Sequence, residues 1–226
     1  MNSNPGQEGA VVLFSGGQDS TTCLYWALER FSPVWAFGVD YGQRHGVETE
    51  QARKIAELAG VHYTLVHCAA YGEMASSALT NPKISLSQAD SLRPELPASF
   101  VPGRNLTLLS LAAGFAYTKG IQVLVGGMCQ TDFSGYPDCR RAFIDQAEKA
   151  LSLALDSPLR IETPLMYLTK AETWQLAAEI GCLDVVLNES HTCYAGDRVH
   201  WHDWGYGCGE CPACKLREAG YQAAFG

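Results

Sequence analysis

The sequence predicts an α/β fold: a doubly wound, Rossmann-like parallel sheet carrying a small cysteine-rich C-terminal tail. Three observations lead there. Short apolar runs alternate with helically spaced segments through the first two thirds of the chain, which implies parallel strands joined by crossover helices. The segments that follow those runs, Ser15–Ser20, Asp40–His45 and Gly126–Asp138, are polar or glycine-rich, and ligands bind at such strand ends. From Cys193 onward the composition shifts to cysteine, histidine, aromatic residues and glycine. The chain therefore divides into a main domain, 1–190, and a metal-binding segment packed on it, 191–226.

The elements follow in order. Ala10–Phe14 reads as a buried strand, and the turn Ser15–Ser20 leads into a helix over 21–31 with Leu24, Leu28 and Phe31 on one side. Pro33 interrupts, Val34–Asp40 is a second strand, a polar helix spans 47–58 up to Gly60, and Tyr63–Val66 is a third strand. Pro82, Pro94, Pro97 and Pro102 predict an irregular stretch over 72–104, of the length typical of lids and substrate loops. Residues 105–119 are apolar nearly all round and predict a buried helix, followed by a strand at 123–126 and a helix at 140–155. Thr169-Lys-Ala-Glu172 has the capping-box pattern of a further helix, which Gly181 should end. There is no internal repeat and no low-complexity tract.

Composition narrows the function. With 226 residues, 47% hydrophobic and 18% charged, the chain has the balance of an ordinary globular protein. A formal charge of −8 argues against a general nucleic-acid binder, which needs a basic footprint. No apolar run approaches the roughly 18 residues of a membrane span, and Met1–Gly9 lacks the basic start of a signal peptide. A cytoplasmic protein is expected, acting on a small molecule, with no direct nucleic-acid or membrane partner. Nine cysteines in that compartment should be mostly reduced, so their clustering suggests metal or catalysis before disulfides.

Ser15-Gly-Gly-Gln-Asp-Ser20 lies where a strand gives way to a helix, a geometry in which backbone N–H groups and the helix dipole receive an anion. Neither a Walker A motif nor G-x-G-x-x-G is present. A tight turn with no ligand is the bland alternative. The S-G-G-x-D-S motif resembles the phosphate loop of the PP-loop ATP pyrophosphatases. That resemblance implies an adenine-nucleotide α-hydrolase-like fold, cleavage of ATP between its α and β phosphates, and an adenylated substrate.

Further stretches are similar to the 7-cyano-7-deazaguanine synthase family of queuosine biosynthesis: Phe14–Leu24, Asp40–His45, Phe100–Asn105, Thr131–Arg140, Glu162–Leu165 and Lys170–Thr173. They keep their order nearly end to end. The resemblance implies conversion of 7-carboxy-7-deazaguanine and ammonia to 7-cyano-7-deazaguanine with two ATP. A carboxylate oxygen is a poor leaving group, so adenylation must precede attack by ammonia, and the amide oxygen needs a second activation.

The nucleotide would be held by Phe14, Ser15, Gly16, Gly17, Gln18, Asp19, Ser20, Thr21, Thr22, Cys23 and Leu24. Asp19 would cap the helix or meet Mg²⁺, since a bare carboxylate repels phosphate. With Asp19 and Ser20, Arg104 and Lys170 are the candidate catalytic residues, as cations for developing phosphate charge; the alternative for Lys170 is a solvated first-turn residue. Arg44, His45, Asp132, Ser134, Tyr136 and Asp138 are candidate substrate-binding residues. A lone histidine such as His45 is more often structural, and the glycine and proline around Tyr136 also suit a plain turn. Cys23 and Cys139 are expected to be structural, because adenylation needs no thiol. A homodimer is expected, and free ammonia, since no glutaminase domain is encoded.

Cys193, Cys208, Cys211 and Cys214 offer four thiolates in the number that a closed tetrahedral zinc shell requires. An iron–sulfur cluster is the rival on spacing, and would go with a tRNA-thiolating PP-loop enzyme. Resemblance to the synthases favours one structural Zn²⁺. The interval Arg198–Trp204 is longer and more aromatic than the resemblance leads one to expect, and supplies His200 and His202 as conceivable substitute ligands or subunit-contact residues.

Overall fold

The protein is described here by a computed structural model covering residues 8–42, 46–74, 77–81, 83–84, 88–131 and 135–226. The candidates Arg44, His45, Asp132 and Ser134 lie outside the described residues.

Five parallel strands form the central sheet. β1 (Ala10–Leu13) pairs with β2 (Val34–Asp40) on one side and β4 (Val123–Val125) on the other. β3 (His62–His67) lies outside β2 and β5 (Arg160–Glu162) outside β4, giving the order β3-β2-β1-β4-β5. The strand order therefore reverses beside β1, and the crevice at that switch point is where such sheets bind ligands. β1 is a continuous apolar run because both its faces are covered. Val12 packs into a cluster with Leu24, Ala27, Ala52 and Ile55 of α1 (Gln18–Leu28) and α2 (Val47–Leu58). Val11, on the opposite face, joins Leu109, Ala112, Ile144 and Leu151 of α4 (Arg104–Thr118) and α5 (Arg141–Leu155).

Some sequence expectations change. The first helix begins three residues earlier than its apolar spacing suggests, at Gln18, so the phosphate loop is itself the helix start. α4 is buried on one face only, through Asn105, Leu109, Ala112, Ala113 and Ala116, while Leu106 and Tyr117 are exposed. Its position on the outside of the sheet leaves the opposite face to solvent, whatever that face's hydropathy. A short helix, α3 (Ala69–Met74), reaches into the proline-rich stretch. Beyond it the described residues up to α4 carry only an isolated bridge between Ala89 and Pro97.

α6 (Lys170–Glu179) begins with the expected capping box: Glu172 N–H donates to Thr169 Oγ1 at 3.2 Å, and Thr169 N–H donates to Glu172 Oε2 at 2.7 Å. Gly181, two residues past its end, has φ +71°. The tail is more regular than its composition suggests. After α7 (Leu183–Asn188) come a hairpin, β6 (Trp201–His202) and β7 (Gly205–Tyr206), and a closing helix, α8 (Pro212–Phe225). The aromatic interval thus forms the hairpin rather than an open loop. A third cluster joins Trp174, Ala177, Cys182 and Val186 to Cys193, Trp204 and Cys214. No described helix is long and apolar enough to cross a membrane.

Candidate functional site

The phosphate loop is shaped by its backbone. Gly16 has φ +80°, and a Cβ there would stand 2.7 Å from Ala52 N, so only glycine fits between β1 and α2. Ser20 Oγ accepts from Ser15 N–H at 3.3 Å, donates to Gly17 O at 3.2 Å and lies 3.1 Å from Ser15 Oγ. Gly17 is the N-cap of α1 and supplies no side-chain cap. The first turn of α1 thus carries no side-chain cap, as an anion site requires.

Asp19 does not cap the helix. Its carboxylate accepts from Lys170 Nζ through both oxygens, at 3.0 and 2.8 Å. The alternative of a solvated Lys170 is therefore set aside: its side chain is 14% exposed, against 29% for Asp19. The capping box orients the first turn of α6, and Lys170 leaves that turn toward the loop. Gly127, after β4, lies against Asp19, where a Cβ would come within 3.3 Å of the carboxylate's Cβ.

Arg104 opens α4, its guanidinium 5.4 Å from the ring centre of Tyr136. Burial opposes its charge, but Tyr41, Tyr136 and Asp138 outweigh that and hold its pKa above the ordinary arginine value. Tyr136 is buried, stacks on Phe100 and shares a 2.7 Å hydrogen bond with Ser99. One oxygen of Asp138 accepts from Asn105 N–H at 2.9 Å, and the residue is buried. Asp138 therefore anchors the start of α4 and does not line the cavity. Cys23 is fully buried with its thiol pKa pushed up by burial, as a structural cysteine would be. Cys139, whose Sγ lies 3.3 Å from Asn105 Nδ2, is instead half-buried and lines the same cavity as Arg104 and Tyr136.

These groups share one cavity of about 850 Å³, lined by Ser15, Gly17–Ser20, Arg104, Tyr136 and Lys170 and bordered by Leu79, Pro97 and Ser99 of the proline-rich stretch. Its wall also includes residues the sequence did not single out, among them Glu48, His191, Thr192, Tyr194 and Lys215. His191 N–H donates to Gly16 O at 2.9 Å, and its ring Nε2 lies 3.1 Å from Cys193 O, which ties the tail to the phosphate loop. Its place two residues before a cysteine ligand candidate was the available signal. Glu48, in contrast, sits on a helix whose polar face reads as solvated.

Beside the cavity, the sulfurs of Cys193, Cys208, Cys211 and Cys214 lie within 4.8 Å of one another. Cys193 and Cys214 are buried, so the cluster is not an exposed tail feature. Amide N–H groups point at the sulfurs: Cys208 at Cys193 Sγ (3.5 Å), Cys211 at Cys208 Sγ (3.3 Å) and Cys214 at Cys211 Sγ (3.5 Å). Such donors stabilise thiolate charge, and the four soft ligands fit one tetrahedral metal ion. A Cβ at Gly207 would stand 2.6 Å from Cys214 Sγ, so a side chain there would crowd the cluster. His200 and His202 are not needed as ligands; His200 bonds Asp197, and His202 bonds Gly207 O at 2.9 Å while stacking on Trp204.

Residues 9–225 match the family described as "Queuosine biosynthesis protein QueC". The chain belongs to the QueC family. Two relatives bear the name 7-cyano-7-deazaguanine synthase. That of Caulobacter vibrioides is 49% identical over 229 residues, covering 95% of this chain and 93% of its own. That of Burkholderia cenocepacia strain HI2424 is 46% identical over 230 residues, covering 96% and 93%. A solved 4-thiouridine synthetase–RNA complex with bound ATP is similar with a TM-score of 0.52 and 17% identity, over 95% of this chain and 53% of that one. At that identity the likeness to the thiouridine enzyme is one of fold alone, and the QueC match does not favour the thiolation reading.

Proposed function

We propose that this QueC-family chain converts 7-carboxy-7-deazaguanine and ammonia to 7-cyano-7-deazaguanine, consuming two ATP to AMP and pyrophosphate. The observation that carries the proposal is the convergence of the phosphate loop, Lys170 and Arg104 on one cavity large enough for a nucleotide beside a bicyclic base. The substrate carboxylate attacks the α-phosphorus, pyrophosphate leaves, and ammonia displaces AMP to give the amide. The amide oxygen is then adenylated in the same way, and loss of AMP yields the nitrile. Positioning and charge stabilisation suffice for both rounds, because the protein forms no covalent intermediate.

Backbone N–H groups of Gly17–Ser20 and the Ser15 and Ser20 hydroxyls would bind the pyrophosphate, within a nucleotide segment running from Phe14 to Leu24. Lys170 would meet the phosphates, and Asp19 would then be free to hold Mg²⁺, whose chemistry is to neutralise phosphate charge. Arg104 and Tyr136 would face the base and its acyl group, with Arg44, His45, Asp132 and Ser134 completing the substrate site. Asp138 would act through Asn105 and the start of α4. Cys193, Cys208, Cys211 and Cys214 would hold one Zn²⁺ in a closed shell whose role is structural. The main domain, 1–190, would thus carry the chemistry and the segment 191–226 would close the cavity. Free ammonia as donor, a cytoplasmic location and a homodimer complete the proposal; exposed Val199 and Trp201 on the tail hairpin favour a subunit contact there.

Incubating the protein with 7-carboxy-7-deazaguanine, ATP, Mg²⁺ and ammonium should yield a product with the mass of the nitrile, together with AMP and pyrophosphate. Substrate-dependent release of ADP and orthophosphate alone would overturn the mechanism.

A further inference from the structure

Both rounds of this chemistry must remove protons from nitrogen. Ammonium, the prevailing form at neutral pH, must lose one proton before it can attack. Carbon–nitrogen bond formation then releases another as AMP departs with the acyl oxygen and its electron pair. Closing the nitrile releases the remaining N–H protons. A positioned acceptor with a pKa near the working pH is the efficient solution.

The cavity offers few such groups. Its described carboxylates are Asp19, Glu48 and Glu95. Asp19 is held by both oxygens to Lys170, and Glu95 pairs with Arg93. Tyr41 and Tyr194 have their pKa values raised by burial, so neither phenol is a base at neutral pH. His191 is buried, its Nε2 engaged with Cys193 O and its Nδ1 enclosed without a partner among the described residues, and burial lowers its pKa. Among the cavity's described carboxylates Glu48 is the one to which no hydrogen bond or ion pair is made within the described residues.

Its place is fixed by the fold. Glu48 occupies the first turn of α2, and that turn packs on the phosphate loop so closely that a Cβ on Gly16 would stand 3.0 Å from Glu48 O. Arg104 from α4, Tyr41 from the end of β2 and Tyr194 from the tail face it electrostatically. We propose that Glu48 receives ammonium beside the adenylated acid and accepts the protons that nitrogen sheds as amide and then nitrile form. This rests on the acyl-adenylate reading above. In each transfer an N–H bond breaks, its electron pair stays on nitrogen to build the C–N bond, and the proton passes to a Glu48 oxygen and then to solvent. Burial pushes the Glu48 pKa up to about 7, against a smaller opposing effect of Arg104, so the group can both take and release a proton near neutrality.

Two measurements on E48Q test this. Pyrophosphate exchange into ATP, dependent on 7-carboxy-7-deazaguanine and run without ammonia, reads adenylation alone. Amide and nitrile formation, expressed per total ammonia (ammonium plus free base) across pH, reads the nitrogen step. In wild type the second should rise with pH through about 7 and then level, because the carboxylate is the active form. E48Q should instead follow the fraction of free ammonia, climbing with pH without levelling near 7, and should lose about 100-fold or more of the nitrogen step at neutral pH. Exchange should fall far less, and E48D should recover part of the lost rate. Retention of the wild-type pH profile in E48Q, or equal losses in exchange and in the nitrogen step, would overturn the assignment. Absence of exchange in wild type would instead refute the acyl-adenylate reading, and this assignment with it.

Discussion

The phosphate loop and the cysteine tail border the same cavity but are held by opposite means. The loop is fixed by a glycine that only just fits, by two serine hydroxyls and by one ion pair, and its first turn carries no side-chain cap. The tail spends its buried donors on protein acceptors, in itself and in the main domain. Arg217 is 1% exposed; it donates to Trp204 O (2.8 Å), Ser190 Oγ and Thr192 Oγ1 (both 2.9 Å) and Val186 O (2.8 Å), with its guanidinium 5.3 Å from the Trp174 ring centre. Burial lowers its pKa to about 10, which leaves it charged at neutral pH although the acceptors of these bonds are carbonyl and hydroxyl oxygens. A region that withholds hydrogen bonds from itself can give them to a ligand. A region that commits its buried donors to protein acceptors is a scaffold.

Variants should separate the two. Asp19→Ala or Ser20→Ala should cost about 10²–10³ in kcat, the scale of losing one preorganised electrostatic contact, while the melting temperature stays near wild type. Wild-type turnover in both would place the phosphate site elsewhere. Arg217→Met should do the reverse. It strands the buried oxygens of Val186 and Trp204, and about 3 kcal/mol of stability should be lost, roughly 6–12 °C in Tm for a chain of this size. Its effect on kcat should be smaller than that of the loop variants.

Metal content sharpens the contrast. A colourless protein with about one zinc per chain is expected by elemental analysis. Cys211→Ser should lower both the zinc content and the melting temperature, and it should do so before ATP chemistry suffers. A brown protein containing iron and sulfide would mean that the cluster serves electron or sulfur chemistry. The smallest effect should come from Thr169→Ala, which removes one half of the capping box at the start of α6 and should cost about 1 kcal/mol. Because Lys170 follows directly, that variant should also loosen the ion pair to Asp19, readable as a modest rise in KM for ATP.

Sequence alone determined the parts of this protein whose physics is local. The apolar runs fixed β1, β2 and β4; the Ser15–Ser20 turn marked the candidate anion site; Thr169 and Glu172 marked a helix start; and four cysteines marked a candidate metal site. Each is a pattern among residues near in sequence or of one distinctive chemistry. Tertiary structure decided the rest. β5 and α7 are too short to show a period, and the tail's hairpin and closing helix were hidden by composition. That Lys170 pairs with Asp19, that Asp138 anchors α4, that Arg217 is buried and that Glu48 lines the cavity beside the phosphate loop all depend on residues brought together from distant segments. A charged side chain reads as solvated until its neighbours are known, because burial and pairing are properties of the packed chain and have no period in the sequence.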